Sequence, residues 1–298
     1  MRRTLLLPTF LGLAAFGHAA GAGVRCDLVY GHAAGQELKL DACVPKGEGP
    51  FAAAILVHGG GWMSGDKQVN FAPLFDPLIR ANIAWFSINY RLAPQYRYPA
   101  CLDDVETAIR WVKARAAEFS IDPSRIALVG ESSGGQLVEM AALRADASTR
   151  LAAVVPFYAP CDLIGEMHKR GTLGKTMIAL FGHPQFDPQV GGLMHDASPL
   201  NYIHGGLPPF LLVHGDSDRV VPYEQSVQFQ SALRAAGVPC DLITINHGLH
   251  SMGNWNRVAP HYGDQVVEWL AHVLKAAATH AAKAQTQAVA VAVPAHHG

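Results

Sequence analysis

Gly130-Glu131-Ser132-Ser133-Gly134-Gly135 follows directly after the β-rich run of residues 125–129 and precedes an apolar stretch of helical character. A strand, a sharp turn and a helix in this order give the sequence G-x-S-x-G the context of a nucleophile elbow. Such a turn strains the backbone at its central serine, and the flanking glycines remove side chains that would collide there. The pattern predicts that Ser132 is a nucleophile at the carboxyl end of a sheet. The alternatives are a glycine-rich turn with an incidental serine, or a phosphate-binding loop, whose Gly-Lys-Ser/Thr and G-x-G-x-x-G spacings are both absent.

Short apolar runs alternate with helical patterns on both sides of this turn. Residues 102, 105, 109 and 112, for example, are apolar at steps of three and four, which predicts one buried helix face. The alternation predicts an α/β fold with a mostly parallel central sheet and helices on both faces. The predicted strands cover residues 53–57, 84–88, 125–129, 153–157, 210–213 and 241–245, after a hairpin centred on Ala34-Gly35. The predicted helices cover residues 71–80, 102–119, 135–144, 223–236 and 263–275.

The two ends of the chain differ from this central domain, which we assign to residues 23–275. Residues 1–22 contain Arg2-Arg3, an apolar run and the Ala20-Gly21-Ala22 triplet, which together predict a signal peptide and a secreted or periplasmic protein. A membrane anchor is the alternative, but the apolar run is too short and is interrupted by proline and glycine. Residues 276–298 are rich in alanine and poor in charge, and we expect them to form a disordered tail.

The segment of residues 160–209 interrupts the alternation of strands and helices. It is rich in glycine, proline and methionine, and it separates two predicted strands of the sheet. Long connections of this kind within a compact domain are usually functional. The segment is therefore predicted to be an inserted small cap or specificity loop.

Composition and charge exclude several classes of protein. Half of the residues are hydrophobic, which excludes a chain that is disordered throughout. With 23 basic and 24 acidic residues the net charge is −1, so no basic face for nucleic acid is implied. After the N-terminal segment no apolar stretch is long enough to span a bilayer, and the expected partner is a small-molecule or carbohydrate-linked substrate.

Five cysteines are present, at positions 26, 43, 101, 161 and 240. Because five is odd, at least one thiol is unpaired, although an oxidising compartment would permit bridges. Cys26 and Cys43 flank the predicted hairpin and would lie opposite each other in one register. A register that pairs Leu28 with Leu40 separates them unless a bulge intervenes, so a Cys26–Cys43 bridge stays open.

A second glycine-rich motif, His58-Gly59-Gly60-Gly61-Trp62, follows the predicted strand of residues 53–57. Consecutive glycines let the backbone approach a ligand closely and direct N–H groups toward it. In acyl transfer such donors stabilise the negative charge that develops on the carbonyl oxygen. We predict an oxyanion hole formed by the N–H groups of Gly60, Gly61 and Ser133, with a simple loop as the alternative.

A serine nucleophile needs a carboxylate and a histidine later in the chain. The loop of residues 214–222 follows a predicted strand and offers Asp216 and Asp218, of which Asp218 lies farther into the loop and is the preferred acid. The loop after the next strand offers His247 and His250, and His250 is the preferred base for the same reason. These histidines have His-x-x-His spacing without an adjacent glutamate, so no metal site is predicted.

Aromatic and methionine side chains beside the motifs are candidates for the substrate pocket. Trp62, Met63 and Trp255 are the candidates, and a place in the core is the alternative for each. Residues 89–94 and the pair Asp103-Asp104 are instead predicted to stabilise loops and helix ends.

The motifs together resemble the α/β-hydrolase superfamily, and more narrowly the secreted carboxylesterases of the BD-FAE type and the hormone-sensitive-lipase-like group. The resemblance covers roughly residues 25 to 275. It implies an α/β-hydrolase fold without a cofactor, in which Ser132 is the nucleophile, Asp218 the triad acid and His250 the base. The implied reaction is hydrolysis of short-acyl or aromatic esters, such as acetyl or feruloyl groups on polysaccharide. An arylformamidase-type amidase and a binding module without activity are the alternatives.

Overall fold

We describe residues 23–68 and 71–292 of a computed structural model, and their side chains as far as residue 279. The predicted signal peptide, residues 1–22, lies outside the described residues. Among the described residues, no helix is both long and apolar enough to cross a membrane.

The described strands form one eight-stranded sheet in the order β1-β2-β4-β3-β5-β6-β7-β8. The β2 strand pairs antiparallel with β1 and with β4, and the other neighbours are parallel. The mostly parallel sheet predicted from the sequence is therefore confirmed. The strands are β1 (Val24–Ala33), β2 (Gln36–Cys43), β3 (Phe51–Val57), β4 (Ile83–Ile88), β5 (Ile121–Glu131), β6 (Ala153–Phe157), β7 (Phe210–Gly215) and β8 (Cys240–Ile245).

Helices cover both faces of this sheet, as predicted. The β3 strand shows why, because Ile55 packs into one apolar cluster with α2 and α3, while Leu56 packs into another with α1 and α9. A strand buried on both faces needs such a continuous apolar sequence. The helices are α1 (Ala72–Arg80), α2 (Ala100–Ala114), α3 (Ser133–Leu143), α4 (Leu163–Arg170), α5 (Lys175–Phe181), α6 (Pro188–Asp196), α7 (Glu224–Ala235), α8 (Met252–Val258) and α9 (Tyr262–Ala292), and Pro199–Tyr202 forms a 3₁₀ turn.

The predicted hairpin is present, and its register decides the open question about the first two cysteines. Ala34 and Gly35 both have positive φ, which suits the tight turn between β1 and β2. Irregular pairing around Cys26 places Val24, not Cys26, opposite Cys43. Cys26 is exposed and Cys43 is buried, and all five cysteines are free thiols.

The segment of residues 160–209 connects β6 to β7 and contains three short helices, α4 to α6. The prediction for the C-terminal tail was wrong over residues 276–292, because α9 continues to Ala292 instead of ending near Lys275. Alanine has the highest intrinsic helix propensity, so an alanine-rich stretch extends a helix that packing has already nucleated. Residues 293–298 lie outside the described residues.

Candidate active site

The predicted nucleophile lies at the junction of β5 and α3, where the backbone makes a sharp turn. Ser132 has φ 53° and ψ −120°, a strained conformation for a residue with a side chain. Its N–H donates to the carbonyl oxygen of Phe157 on β6 at 2.9 Å, which fixes the turn to the sheet. A Cβ at Gly134 would lie 2.2 Å from the carbonyl oxygen of Val57, so only glycine lets α3 begin this close to β3. The elbow geometry expected from the motif is present.

The structure brings Ser132, His250 and Asp218 together in one hydrogen-bonded chain. Ser132 Oγ lies 2.9 Å from His250 Nε2, and His250 Nδ1 lies 2.6 Å from Asp218 Oδ2. An ionised carboxylate only accepts hydrogen bonds, so Nδ1 carries the proton and Nε2 is left to accept from the serine hydroxyl. This is the arrangement in which an imidazole removes a proton from an alcohol.

Asp216 and His247, the alternative acid and base, lie outside this hydrogen-bonded chain. Asp216 Oδ1 accepts from the backbone N–H of His247 at 2.7 Å, so this pair links the loop after β7 to the loop after β8. That contact holds the two loops in position without joining the chain that ends at Ser132.

The side chain of Asp218 is fully buried, and its charge is balanced by donors on several sides. Its Oδ1 accepts from the N–H groups of Val220 and Val221 at 2.7 and 3.0 Å. Burial alone would raise the pKa of Asp218, but the hydrogen bonds from His214 and His250 outweigh it and hold this pKa well below its usual range. The carboxylate is therefore ionised when it orients the imidazole of His250.

His214 is a residue of this site that the sequence analysis did not single out. It is fully buried at the end of β7, and its Nε2 lies 3.0 Å from the carbonyl oxygen of Val221 and 3.3 Å from Asp218 Oδ2. Its Nδ1 lies 2.7 Å from Ser226 Oγ, which fixes the other side of the ring. Both partners of Nε2 are acceptors, so Nε2 carries the proton. A histidine at a strand end, four residues before the acid, is the signal that was present in the sequence.

The loop after β3 presents the predicted oxyanion donors to the same cavity as Ser132. Gly60 and Gly61 have φ of 106° and 62°, and a Cβ at Gly60 would lie 2.1 Å from the carbonyl oxygen of Ser64. Within the described part of the chain, no group accepts a hydrogen bond from the N–H of Gly60 or Gly61. Gly60, Gly61 and Ser133 all line the cavity beside Ser132. The geometry suits stabilisation of a developing oxyanion.

Glu131, the residue before the nucleophile, links the oxyanion loop to the histidine. Its Oε1 accepts from the N–H of Gly59 at 2.7 Å, and its Oε2 accepts from the hydroxyl of Tyr158 at 2.7 Å. The Tyr158 ring in turn meets the ring of His250 edge to face, with the centroids 4.7 Å apart. Burial raises the pKa of Tyr158 well above its usual value, so its hydroxyl stays protonated and donates to Glu131. In the sequence, Glu131 is distinguished only as a variable position of the G-x-S-x-G motif.

The cavity above Ser132 has a volume of about 720 Å³, which is in the range of small-molecule sites. Of the predicted pocket residues, Trp62 lines the cavity, and its Nε1 donates to Gln136 Oε1 at 3.0 Å. Met63 and Trp255 are not among the lining residues, so their assignment to the pocket was wrong. Met63 packs against the core, and Trp255 is fully buried against Tyr158. Proximity to a motif in sequence does not determine which way a side chain points.

Comparison with known proteins shows the family of this chain. The BD-FAE family model matches residues 40–233, about two thirds of the chain. The chain belongs to the BD-FAE family. This BD-FAE protein is also similar to esterase LipQ of Mycobacterium tuberculosis, with 33% identity over 235 residues that cover 74% of this chain and 55% of LipQ. The probable carboxylic ester hydrolase LipM of the same organism is 32% identical, over 79% of this chain and 57% of LipM. The chain thus spans little more than half the length of these curated relatives.

Solved structures show that this BD-FAE protein has the α/β-hydrolase fold. A truncated carbohydrate esterase from gut microbiota superposes with a TM-score of 0.73 at 26% identity, over 85% of this chain and 96% of that chain. An acetyl ester-xyloside bifunctional hydrolase from Caldicellulosiruptor lactoaceticus superposes with a TM-score of 0.69 at 26% identity, over 80% and 89% of the two chains. The resemblance stated from the motifs, and the fold it implied, are confirmed.

Residues 89–94 and Asp104 of this BD-FAE protein hold the scaffold around the site, as predicted. Asp104 is buried, and its carboxylate accepts from the guanidinium of Arg91 at 2.7 to 3.0 Å. Asn89 Oδ1 accepts from the N–H of Lys67 at 2.6 Å, and the Tyr90 hydroxyl donates to the carbonyl oxygen of His58 at 3.0 Å. These contacts fix the loop that carries the oxyanion glycines.

Proposed function

We propose that this protein is a serine carboxylesterase that hydrolyses its substrate through an acyl-enzyme. The observation that carries the proposal is the unbroken chain of hydrogen bonds from Ser132 through His250 to Asp218, at the wall of a cavity into which Gly60 and Gly61 also face. A nucleophile, a base, an orienting carboxylate and oxyanion donors are the groups that ester hydrolysis requires. The names of the relatives LipQ and LipM support the same reaction class.

In the first half of the proposed reaction, His250 Nε2 takes the proton of Ser132 as Oγ attacks the ester carbonyl. The negative charge on the carbonyl oxygen is stabilised by the N–H groups of Gly60, Gly61 and Ser133. The carbon–oxygen bond to the alcohol then breaks, and His250 gives its proton to the departing alkoxide. Asp218 stabilises the imidazolium that exists between these steps.

In the second half, water replaces the alcohol. His250 takes a proton from the water, which attacks the acyl carbonyl while the same N–H groups bind the oxyanion. The bond from the acyl carbon to Ser132 Oγ breaks, and His250 returns the proton to the serine. The acid product leaves, and every proton and electron pair is accounted for without a cofactor.

The proposed substrates are short-acyl or aromatic esters, with acetyl or feruloyl groups on polysaccharide as the specific candidates. Three structural neighbours have names that point to carbohydrate esters: a carbohydrate esterase, a bifunctional GH43-CE from Bacteroides eggerthii and an acetyl ester-xyloside hydrolase. The size of the cavity suits an acyl group together with part of the alcohol.

The first experiment compares the wild type with Ser132→Ala on p-nitrophenyl acetate. Ser231→Ala is the matched control, because Ser231 is exposed on α7 away from the cavity. We expect wild-type turnover, full turnover by Ser231→Ala and a loss of at least about a thousandfold with Ser132→Ala. Equal rates for Ser132→Ala and wild type would remove the nucleophile. No activity in any form would favour a binding module.

The second experiment resolves the substrate class with acetyl, butyryl, octanoyl and feruloyl esters, acetylated xylan and an aryl formamide. We expect the highest kcat/KM for acetyl or feruloyl esters and release of acetate from xylan. A preference for octanoyl or longer chains would contradict the short-acyl proposal, and a preference for the formamide would favour an amidase.

We further propose that the protein is exported, on the basis of the N-terminal sequence described above. Cleavage after Ala22 predicts a mature protein that begins at Gly23. Cell fractionation followed by N-terminal sequencing tests this, and an intact Met1 in the cytoplasmic fraction would contradict it.

A further inference from the structure

One face of helix α4 forms part of the wall of the cavity that contains Ser132. The residues of α4 that line the cavity are Leu163, Glu166, Met167 and Arg170. Their spacing of three, four and seven positions is that of a single helix face. Two of the four are charged, although apolar side chains would be sufficient to close an apolar acyl pocket. These charged side chains therefore need an explanation that the proposed catalytic groups do not provide.

The carboxylate of Glu166 has one oxygen in use and one without a partner. Oε1 accepts from Arg170 Nε at 2.5 Å. Oε2 is buried, and no group of the described residues donates to it, while the residue as a whole is 9% exposed. A buried carboxylate oxygen without a donor destabilises the protein, so such atoms in native structures require a reason. Because Glu166 lines the cavity, a small rotation of its carboxylate would let a ligand in the cavity supply the missing donor.

The neighbouring charge restricts the chemistry of that ligand. An ionised carboxylate accepts hydrogen bonds and cannot donate them, so the partner must be a donor. Arg170 already balances the charge of Glu166, so a neutral donor suits the remaining oxygen better than a second cation. Among the groups of an ester substrate, a hydroxyl is such a donor.

We propose that Glu166 Oε2 accepts a hydrogen bond from a hydroxyl group on the alcohol part of the substrate, which makes the site selective for esters of polyhydroxy alcohols. The inference rests on the proposed esterase function and adds a residue that determines its specificity. Two other ionisable residues that line the cavity, Glu131 and His250, already have partners in the site described above.

The side of the cavity on which Glu166 lies points to the alcohol part of the substrate. Arg170 donates to the carbonyl oxygen of Val220, in the loop that carries Asp218. The Glu166–Arg170 pair is thus joined to the loop that orients His250. His250 protonates the departing alcohol, so that alcohol lies on the histidine side of the scissile bond, away from the oxyanion glycines.

A matched pair of substrates tests the proposal: 2,3-dihydroxypropyl acetate and propyl acetate, which differ only in two hydroxyl groups. For the wild type we expect a higher kcat/KM with the dihydroxy ester. In Glu166→Leu this preference should fall by roughly tenfold to a hundredfold, the range for one hydrogen bond to a charged group, because only the dihydroxy ester loses a contact of its own. Glu166→Gln keeps the shape and one acceptor oxygen, and we expect an intermediate preference.

Controls separate this subsite from the fold and from the esterase function itself. Lys169→Gln changes an exposed residue of the same helix that does not line the cavity, and it should keep the wild-type preference. Thermal unfolding of each variant shows whether α4 is intact. Equal losses on both substrates in Glu166→Leu or Glu166→Gln, or no wild-type preference, would overturn the subsite. Failure of the wild type to hydrolyse propyl acetate at all would instead overturn the proposed function.

Discussion

The side chains of His214 and Asp218 meet in a fully buried contact, with Nε2 and Oδ2 3.3 Å apart. The same oxygen of Asp218 contacts His250 Nδ1 at 2.6 Å, so one carboxylate oxygen lies between two imidazole rings. His214 does not touch the cavity, which makes it a positioning residue for the acid. The orientation of His250 toward Ser132 therefore depends on a second histidine that takes no part in proton transfer.

Replacing His214 should reduce the rate through the position of Asp218. His214→Leu removes the Nε2–H donor, and we expect kcat to fall by on the order of 10- to 100-fold while KM changes little, because the substrate contacts remain. His214→Gln can place an amide N–H near the Nε2 position, so it should recover part of the rate. Kinetics on p-nitrophenyl acetate check both variants. Equal rates for the Leu and Gln variants at equal thermal stability would count against a positioning role.

Asp218→Asn tests the charge of the triad acid in activity and in stability. The amide holds the wrong tautomer of His250, and we expect kcat to fall by on the order of a thousandfold or more. The pKa of Asp218 is lowered in the folded protein, so its stabilising contribution is present above the unfolded pKa of about 3.8 and is lost as pH falls through the folded pKa. The wild type should therefore exceed Asp218→Asn in unfolding free energy above about pH 5.

Denaturant unfolding at several pH values measures that difference. It should shrink as the pH falls below 4, because the carboxylate then takes up a proton in the unfolded state first. A difference that grows toward acid would show that the folded-state pKa of Asp218 is raised, contrary to the geometry of its donors.

Gly60→Ala tests the oxyanion loop. The new Cβ would lie 2.1 Å from the carbonyl oxygen of Ser64, and φ is 106°, so the loop must move. Because the Gly60 N–H moves with it, we expect kcat to fall by about a hundredfold or more. Gly237→Ala is the matched control, since Gly237 also has a positive φ of 76° but open space around it. The control should lose about 1 kcal/mol of unfolding free energy, which is the strain of a left-handed residue with a side chain. Its kcat should stay at the wild-type level. Comparable kcat losses in both variants would remove the special role of Gly60.

Much of the fold and the three residues of the hydrogen-bonded chain could be predicted from the sequence, because the determining features are local. The elbow has to be a strand, a strained turn and a helix, and each part leaves its own residue pattern around Ser132. The loops that hold Asp218 and His250 were found because each follows a predicted parallel strand, and the carboxyl ends of such strands lie at one edge.

The features that could not be predicted depend mainly on contacts between residues that are distant in sequence. Glu131 acquires its role from Gly59, 72 residues earlier, and from Tyr158, and nothing near Glu131 in the chain indicates either contact. The direction of the Trp255 side chain was set by packing against Tyr158 in the core. Helix α8 was missed because its seven residues, interrupted by a glycine, have no clear helical period.

Glu139 provides a test of stability that is independent of catalysis. It lies on α3 and is 2% exposed, and no group of the described residues donates to its Oε2. Burial raises the pKa of Glu139 well above its usual value of 4.5. Two titratable groups lie on neighbouring elements, the thiols of Cys161 and Cys240, and the charge of Glu139 raises the pKa of both. A group whose folded-state pKa is raised stabilises the protein below its unfolded pKa, and this contribution is lost as pH rises through the folded pKa.

Glu139→Met should therefore stabilise the protein increasingly as the pH rises from about 5 to 9. The difference in unfolding free energy from the wild type should grow by at most about 1.4 kcal/mol per pH unit, the value for one proton, until the folded-state pKa is passed. Urea unfolding at each pH measures it, and kcat on p-nitrophenyl acetate should stay at the wild-type level because Glu139 does not line the cavity. Parallel stability curves for Glu139→Met and wild type would mean that this buried carboxyl group has a donor that neutralises the cost of its charge.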